Sequence, residues 1–457
     1  MKLFDIYSRL PVFMQQALCN IKGYQLDKQR YGGGYKNLLQ QLISDEKATA
    51  EQITAYKEAE TFRILDYAYR HCPYYRTTFQ QAGLTPSDFR GMDDLQKFPI
   101  LSKEDVRKYW MGILSDEVDK QKLIRSHTSG STGKALEFFV SQENIRFYWA
   151  VVWRGRARVG VMKGDCHFNF TGKSVIPLTQ TRPPFWRYNK AINQYMLNQQ
   201  HISAEKVPGL VELMEKKRPK FIVGYPSIVH AFSQFVEELG MEIQHTPAFM
   251  FPSAEMLYDF QREQIMRVFP DIKILEHYGF SESVACASKC THGHYHEDWE
   301  LGHLELHNAE ETPTGQTGTL LATGFQNTAF PFIRYDVGDT ATFSHEDCAC
   351  GLHSQVITHI EGRKEDYVLT PEGTRLKRLD YIFKDTLDIK EAQVVQRKSG
   401  EIIIRIVRRP SYTQATEKHL IDNVHSLISP TMGVTFEYCE EIPRTKAGKY
   451  RAVISEL

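Results

Sequence analysis

Thr128-Ser129-Gly130-Ser131-Thr132-Gly133-Lys134 sets the reading of this chain. Small residues let the backbone bend tightly and aim N–H groups inward. The hydroxyls add donors and Lys134 adds positive charge, a combination suited to the phosphates of a nucleotide. A Walker A loop would need Gly where Thr128 stands and Ser or Thr where Ala135 stands, so the P-loop NTPase reading fails. Taken alone, the motif competes with a Ser/Gly-rich surface turn. Its surroundings decide the fold class. From Leu123 to about Gly338, short apolar runs such as Phe221-Ile222-Val223, Ala248-Phe249-Met250-Phe251 and Ile272-Lys273-Ile274-Leu275 alternate with helical stretches at 204–217, 228–240 and 257–268. This is the alternation of an α/β domain.

Outside this region the pattern changes on both sides. The chain up to about Trp110 reads as mainly helical. In 56–72 the apolar residues Phe62, Leu65 and Ala68 recur at helical spacing, and Pro73 ends the run. Near Gly362 the chain turns polar (Gly362-Arg363-Lys364-Glu365-Asp366), and a Pro371-Glu372-Gly373 turn comes after it. Strands at 392–397 and 401–408 and a helix at 415–429 then make a small α+β unit. The expected architecture is a large multi-layer α/β domain over 1–362, including the mainly helical segment 1–110, and a small mobile α+β domain over 363–457. No internal repeat or low-complexity tract interrupts it.

A chain of 457 residues exceeds one ordinary core, so two or more domains are expected. With 42% hydrophobic and 25% charged residues the composition is that of a globular protein rather than a disordered one. Lys plus Arg equals Asp plus Glu at 56 each, which removes the usual ground for expecting a nucleic-acid partner. No apolar run is long enough to span a bilayer. The N-terminus does not read as a signal peptide, because Asp5, Arg9, Pro11, Gln15 and Gln16 interrupt it. Residues 3–18 form an amphipathic pattern expected to pack on the body of the protein, with a peripheral membrane contact as the alternative.

Cys19, Cys72, Cys166 and Cys439 are scattered and read as buried thiols, whereas Cys286, Cys290, Cys348 and Cys350 form two close pairs. Without a secretory leader such pairs indicate metal rather than disulfide, and a cytoplasmic location. Cys290-Thr291-His292 and Cys348-Ala349-Cys350 are two-ligand knuckles, so Cys290, His292, Cys348 and Cys350 are expected to close a tetrahedral, structural zinc site. Cys286 and His296 are competing ligands by spacing. The alternative is free thiols beside a solvated loop carrying His292, His294 and His296.

Five further motifs come after the phosphate loop in order, and the set resembles the adenylate-forming superfamily of acyl-CoA synthetases, luciferases and peptide-synthetase adenylation domains. Pro252-Ser253-Ala254-Glu255 stands where that family contacts adenine. His277-Tyr278-Gly279-Phe280-Ser281-Glu282 resembles its aromatic-Gly-x-Thr/Ser-Glu motif. The resemblance implies that Tyr278 stacks on adenine, that Gly279 lets the backbone approach, that Ser281 belongs to the nucleotide-binding set, and that Glu282 helps hold Mg²⁺. Gly279 to Ser283 nearly spells a hydrolase elbow, but Ser283 replaces the final Gly. Arg334-Tyr335-Asp336-Val337-Gly338-Asp339 places Asp339 on the ribose hydroxyls, and Gly362-Arg363 places Arg363 near ribose and phosphates. Pro443-Arg444-Thr445-Lys446-Ala447-Gly448-Lys449 ends in the family's mobile catalytic lysine, Lys449.

Within that superfamily the chain is similar to the phenylacetate–CoA ligase branch and its CapK-type proteins of capsular polysaccharide biosynthesis. The similarity is carried by Cys72-Pro73-Tyr74-Tyr75-Arg76, Phe98-Pro99-Ile100-Leu101-Ser102-Lys103, Gly224-Tyr225-Pro226-Ser227 and Gly448-Lys449-Tyr450-Arg451. It implies an enzyme that activates a carboxylic acid with ATP as an acyl-adenylate and passes the acyl group to CoA. The alternatives are transfer to a sugar amine, hydroxyl or carrier, and a nucleotide-binding scaffold without turnover. Phe185, Trp186, Tyr225 and Pro226 are candidates for the acyl pocket, with the protein core as the competing place for them.

Overall fold

The computed structural model describes residues 3–127, 136–171, 175–177, 179–363, 368–371, 375–376, 379–383, 386, 388–444 and 450–457. The phosphate-loop motif Thr128 to Lys134, Lys364 of the polar run and Lys449, expected as the catalytic lysine, lie outside them.

The N-terminal segment is helical because its caps and breaks are spelled locally. Thr49 accepts from the Gln52 amide while the Gln52 side chain accepts from the Thr49 amide at 2.9 Å, a reciprocal cap that opens helix Ala50–His71. Pro73 ends that helix by forcing Cys72 into extended backbone (φ −120°), and itself starts helix Pro73–Gln81. Residues 3–18 do not make one helix. Pro11 breaks them into Leu3–Ser8 and Val12–Tyr31, because proline is tolerated at the start of a helix but not in its interior.

The central sheet runs, in spatial order, Arg187–Asn189, Gln194–Asn198, His167–Thr171, Phe221–Gly224, Phe249–Pro252 and Lys273–Ile274, parallel except for its first pair. Successive side chains point to opposite faces. Ile222 and Met250 pack under helices Val207–Lys217, Pro226–Glu238 and Asp259–Val268. Phe221 and Phe251 pack against Trp153 and Val151 of helix Gln142–Ala157 on the other face. Both faces are covered, which is why these strands read as unbroken apolar runs. Phe185, Trp186 and Tyr225 belong to this core.

A second, antiparallel sheet has the order Gly302–Thr312, Gly315–Gly324, Tyr335–Ser344, Val356–Arg363, Tyr295–Glu297, Cys286–Lys289 and His277–Gly279. Its inner face and the N-terminal helices share one core around Ile64, Phe79, Phe98, Phe138, Phe332 and Tyr335. Arg154, buried, joins this sheet to helix Gln142–Ala157 by pairing with Asp298 (2.6 Å) and Glu300. A buried cation needs such partners to offset the loss of water.

The C-terminal strands Gly433–Tyr438, Glu401–Arg408, Ile389–Lys398 and Val453–Ser455 form a four-stranded sheet under helix Gln414–Leu427. Val394, Ile402, Ile404, Leu420 and Val424 give it a core of its own. The architecture is therefore α/β followed by α+β, as the sequence patterns imply.

Candidate active site

Strands Ile124–His127 and Glu137–Val140, which flank the phosphate-loop motif, pair antiparallel with His127 opposite Glu137. The other nucleotide motifs stand on two neighbouring regions.

The first region is the antiparallel sheet. Tyr278 lies on the edge strand His277–Gly279, and its hydroxyl donates to Asp339 Oδ2 at 2.6 Å. Asp339 in turn sits opposite Arg363 in the ladder between Tyr335–Ser344 and Val356–Arg363. Three residues from separate motifs are thus brought together, Asp339 and Arg363 by strand register and Tyr278 by its hydrogen bond. Gly338 precedes Asp339 with φ +86°, and a Cβ there would lie 2.6 Å from Lys103 Nζ. The left-handed backbone favours glycine there. Gly279 and Ser281 are exposed beside Tyr278, open to a ligand.

Glu282 is only 5% exposed and accepts from the Tyr335 hydroxyl at 2.8 Å. Burial raises its carboxyl above the ordinary range, and the Tyr335 bond and the nearby charge of Lys103 pull it back. Lys103 Nζ donates to the Val337 carbonyl at 2.7 Å. Tyr335 and Lys103 are parts of the site to which the sequence motifs attach no role. Tyr335 stands inside the Arg334–Asp339 motif. Lys103 carried only the branch-level run Phe98 to Lys103, and no local pattern connects it with a turn 234 residues away.

The second region is the carboxyl end of the parallel sheet, where ligands of α/β folds bind. The turn after Phe249–Pro252 holds Ser253, Ala254 and Glu255. The Ser253 amide donates to the Gly224 carbonyl at 2.9 Å, and Ala254 takes the left-handed φ of +65°. A non-glycine residue held there costs on the order of 1 kcal/mol or more, and such outliers collect at binding sites. Glu255 spends its two oxygens on backbone amides: Oε2 accepts from Ser227 (3.1 Å) and Oε1 from Tyr450 (2.6 Å). Tyr450 is the residue after Lys449, so Glu255 joins the large part to the lysine-bearing segment. The family resemblance implies adenine contact for Glu255; the structure gives it this bridging contact, which spans 195 residues and has no local signature. Tyr258 and Tyr450 rings meet edge to face beside it at 6.3 Å.

The metal-ligating candidates converge with one change. Cys290 Sγ, Cys348 Sγ, Cys350 Sγ and a ring nitrogen of His296 all lie within 4.8 Å of one another. The Cys290–Cys348 sulfur separation is 3.7 Å, against about 3.8 Å for an edge of a tetrahedron with Zn–S bonds of about 2.3 Å. The donor set and spacing fit zinc. His292, expected as the fourth ligand, does not take part: it is exposed in the turn closed by Gly293 (φ +90°), where the Cys290 amide already bonds the His294 carbonyl at 2.8 Å. His296 is the first histidine past that turn to point inward, and it is fully buried. Cys286 also stays out of the group, donating instead to Asp298 Oδ2. The cluster is two strands from Tyr278, with Ser288 opposite both His296 and His277.

Residues 368–456 match the CapK C-terminal domain. Protein CapK of Staphylococcus aureus is 25% identical over 460 residues, covering 99% of each chain. Phenylacetate-coenzyme A ligase of Thermus thermophilus is 24% identical, covering 88% of this chain and 96% of its own. Among solved structures, 2-hydroxyisobutyryl-CoA ligase in its postadenylation state superposes with a TM-score of 0.71 at 17% identity, covering 89% of this chain and 90% of that one. The same ligase in its thioesterification state gives 0.55, covering 90% and 92%. No helix among the described residues is long and apolar enough to cross a membrane. Along nearly its whole length the chain is thus similar to Protein CapK and to a phenylacetate–CoA ligase, and it shares the fold of an adenylate-forming CoA ligase.

Proposed function

We propose that this chain is an AMP-forming carboxylate ligase that activates an organic acid with ATP and transfers the acyl group to CoA. The observation that carries this reading is the Tyr278–Asp339 hydrogen bond with Arg363 opposite Asp339 in the ladder, three nucleotide-motif residues joined in one place. The substrate carboxylate and ATP repel each other, so the site must supply positive charge and hold them in line. Asp339 accepts the ribose hydroxyls once Tyr278 turns its ring to adenine. Lys134 and the donors of Thr128 to Gly133 meet the phosphates. Lys449 bridges the carboxylate and the α-phosphate as charge builds. Glu282, oriented by Tyr335, would hold a Mg²⁺ ion, which would supply positive charge beside the leaving pyrophosphate.

The chain divides at 362/363, and the C-terminal part turns about Gly362 to Glu365 between half-reactions. Glu255 supports this, as a single side chain whose bond to the Tyr450 amide docks the C-terminal part beside the large one. The higher similarity to a postadenylation arrangement than to a thioesterification one agrees with docking in the first of two arrangements. Cys290, His296, Cys348 and Cys350 hold a structural zinc ion, a closed set with no open position for catalysis. Cysteines arranged for metal also support a cytoplasmic location.

A second reading keeps the adenylation step and sends the acyl group to a sugar amine, hydroxyl or carrier. The CapK-type C-terminal domain favours it, because that part would face the acceptor. ATP–pyrophosphate exchange across aromatic, fatty, amino and uronic acids tests the first half-reaction. Acyl transfer with CoA or amino sugars then separates the two readings. Absence of exchange with every acid class would leave only a nucleotide-binding scaffold.

A further inference from the structure

Helix Val12–Tyr31 meets its own protein through polar side chains. Gln15, Gln16 and Asn20 face inward. Gln15 accepts from Arg187, Gln16 accepts from the Tyr188 amide at 2.9 Å, and Asn20 accepts from the Lys190 amide at 2.9 Å. Gly23 presses so close that a Cβ would collide with the Asn189 side chain. These contacts fix the helix without using its apolar side.

That side faces solvent. Phe13 is 73% exposed, Ile21 55% and Tyr24 52%, with Met14 and Leu18 also exposed between them. At about 100° per residue these five positions and Ala17 fall on one broad stripe. Ile6, on the preceding helix Leu3–Ser8, is exposed as well. The charges beside the stripe are of one sign. Arg9, Lys22 and Lys28 flank it, and the helix's one acidic residue, Asp27, is half-buried in an ion pair with Lys163 at 2.6 Å.

We propose that this face docks on an anionic lipid bilayer, with Phe13, Leu18, Ile21 and Tyr24 entering the headgroup boundary and Lys22 and Lys28 meeting lipid phosphates. An apolar stripe flanked by cations is the pattern of helices that lie in that interface. A second copy of the chain is a poorer occupant: a two-fold contact would bring the cations of both copies together with no carboxylate among the described side chains of the face to answer them.

The test uses the purified full-length chain and vesicles of phosphatidylglycerol and phosphatidylcholine in equal parts, or phosphatidylcholine alone. The chain sediments with the anionic vesicles, and raised salt weakens the binding. The variant Phe13→Gln/Ile21→Gln/Tyr24→Gln loses about tenfold or more in partitioning. Lys22→Gln/Lys28→Gln loses the preference for anionic lipid. Both keep wild-type adenylation, since none of these residues belongs to the site. If the triple variant fails to fold by circular dichroism, Phe13→Glu alone decides the matter. Equal sedimentation of wild type and variants overturns the proposal, as does wild type remaining in the supernatant with both vesicles. So does a wild-type dimer in light scattering that the triple variant converts to monomer, which would make the face an interface between copies.

Discussion

Replacing Glu255 with Gln isolates one of the contacts that join the two parts of the molecule, beside those of Gln234 with the Lys390 carbonyl and of Tyr258 with Tyr450. The carboxylate accepts the Tyr450 amide at 2.6 Å and the Ser227 amide at 3.1 Å. The Glu255→Gln side chain keeps one acceptor oxygen and turns an NH₂ group toward the other amide. One charge-assisted bond is lost, worth about 1.5–3 kcal/mol, or roughly ten- to 150-fold in an equilibrium constant. Glu255 is half-buried, so the lower end, about tenfold, is the working figure. The loss falls on the docked arrangement, in which the Lys449 segment is tied beside the large part. ATP–pyrophosphate exchange should drop by up to about tenfold, while transfer from preformed adenylate to acceptor stays at the wild-type rate. Nucleotide affinity, measured separately by a fluorescent ATP analogue, should change less than the exchange rate. An exchange rate equal to wild type would refute the bridging role. An equal fall in both half-reactions would show that Glu255 acts on the nucleotide or on the fold instead.

Four other outcomes are expected from the geometry. Lys449→Ala should lower single-turnover adenylation by about 10²–10³ with ATP binding intact, and near-normal adenylation would refute its role. Lys103→Met removes the cation that bonds the Val337 carbonyl and steadies the Glu282 carboxylate; exchange should fall about tenfold or more, with Lys103→Arg recovering part of it. Metal analysis should give about one zinc per wild-type chain and per His292→Ala chain, but much less for His296→Ala; equal retention in both variants would displace His296 as the ligand. For Glu297, burial would raise the carboxyl, but Lys57 and His303 bring it down from 4.5 to about 2. Its contribution, on the order of 3 kcal/mol, is present above pH 4.5 and lost as pH falls toward 2. Glu297→Gln should lower the urea midpoint at pH 7 and flatten the pH dependence of stability over that acid window.

What the sequence made legible was local or ordered along the chain. The unbroken apolar runs at Phe221 and Phe249 declared strands covered on both faces, and they are. Asp339 and Arg363 were assigned to one ligand through family resemblance, and their pairing in register gives that assignment a physical basis. What escaped depended on distance or direction. The choice of His296 over His292 is made by the left-handed turn at Gly293, which spacing rules do not see. Lys103 and Glu255 act across 234 and 195 residues, so nothing beside them in the chain reveals their partners. The helix at Val12–Tyr31 shows another limit: a helical pattern states that two faces differ, not which one turns inward. Here Gln15, Gln16 and Asn20 found backbone and arginine partners on the body, and the apolar residues were left outside.

Under the proposed rotation of the C-terminal part, the ladder position of Arg363 would tie nucleotide affinity to domain orientation by reciprocity. Strand Val356–Arg363 grips Tyr335–Ser344 as far as the Asp339–Arg363 pair, and the chain then leaves for the C-terminal sheet. A ribose held at Asp339 would stiffen the end of that ladder and so restrict the chain just before the proposed pivot. Thermodynamic linkage makes the effect mutual: whatever factor the nucleotide contributes to one orientation, that orientation returns as affinity for the nucleotide. AMP would then leave most readily from the orientation that least needs the ladder end to be firm. The order of product release would be set by where a β-ladder stops rather than by any separate gate.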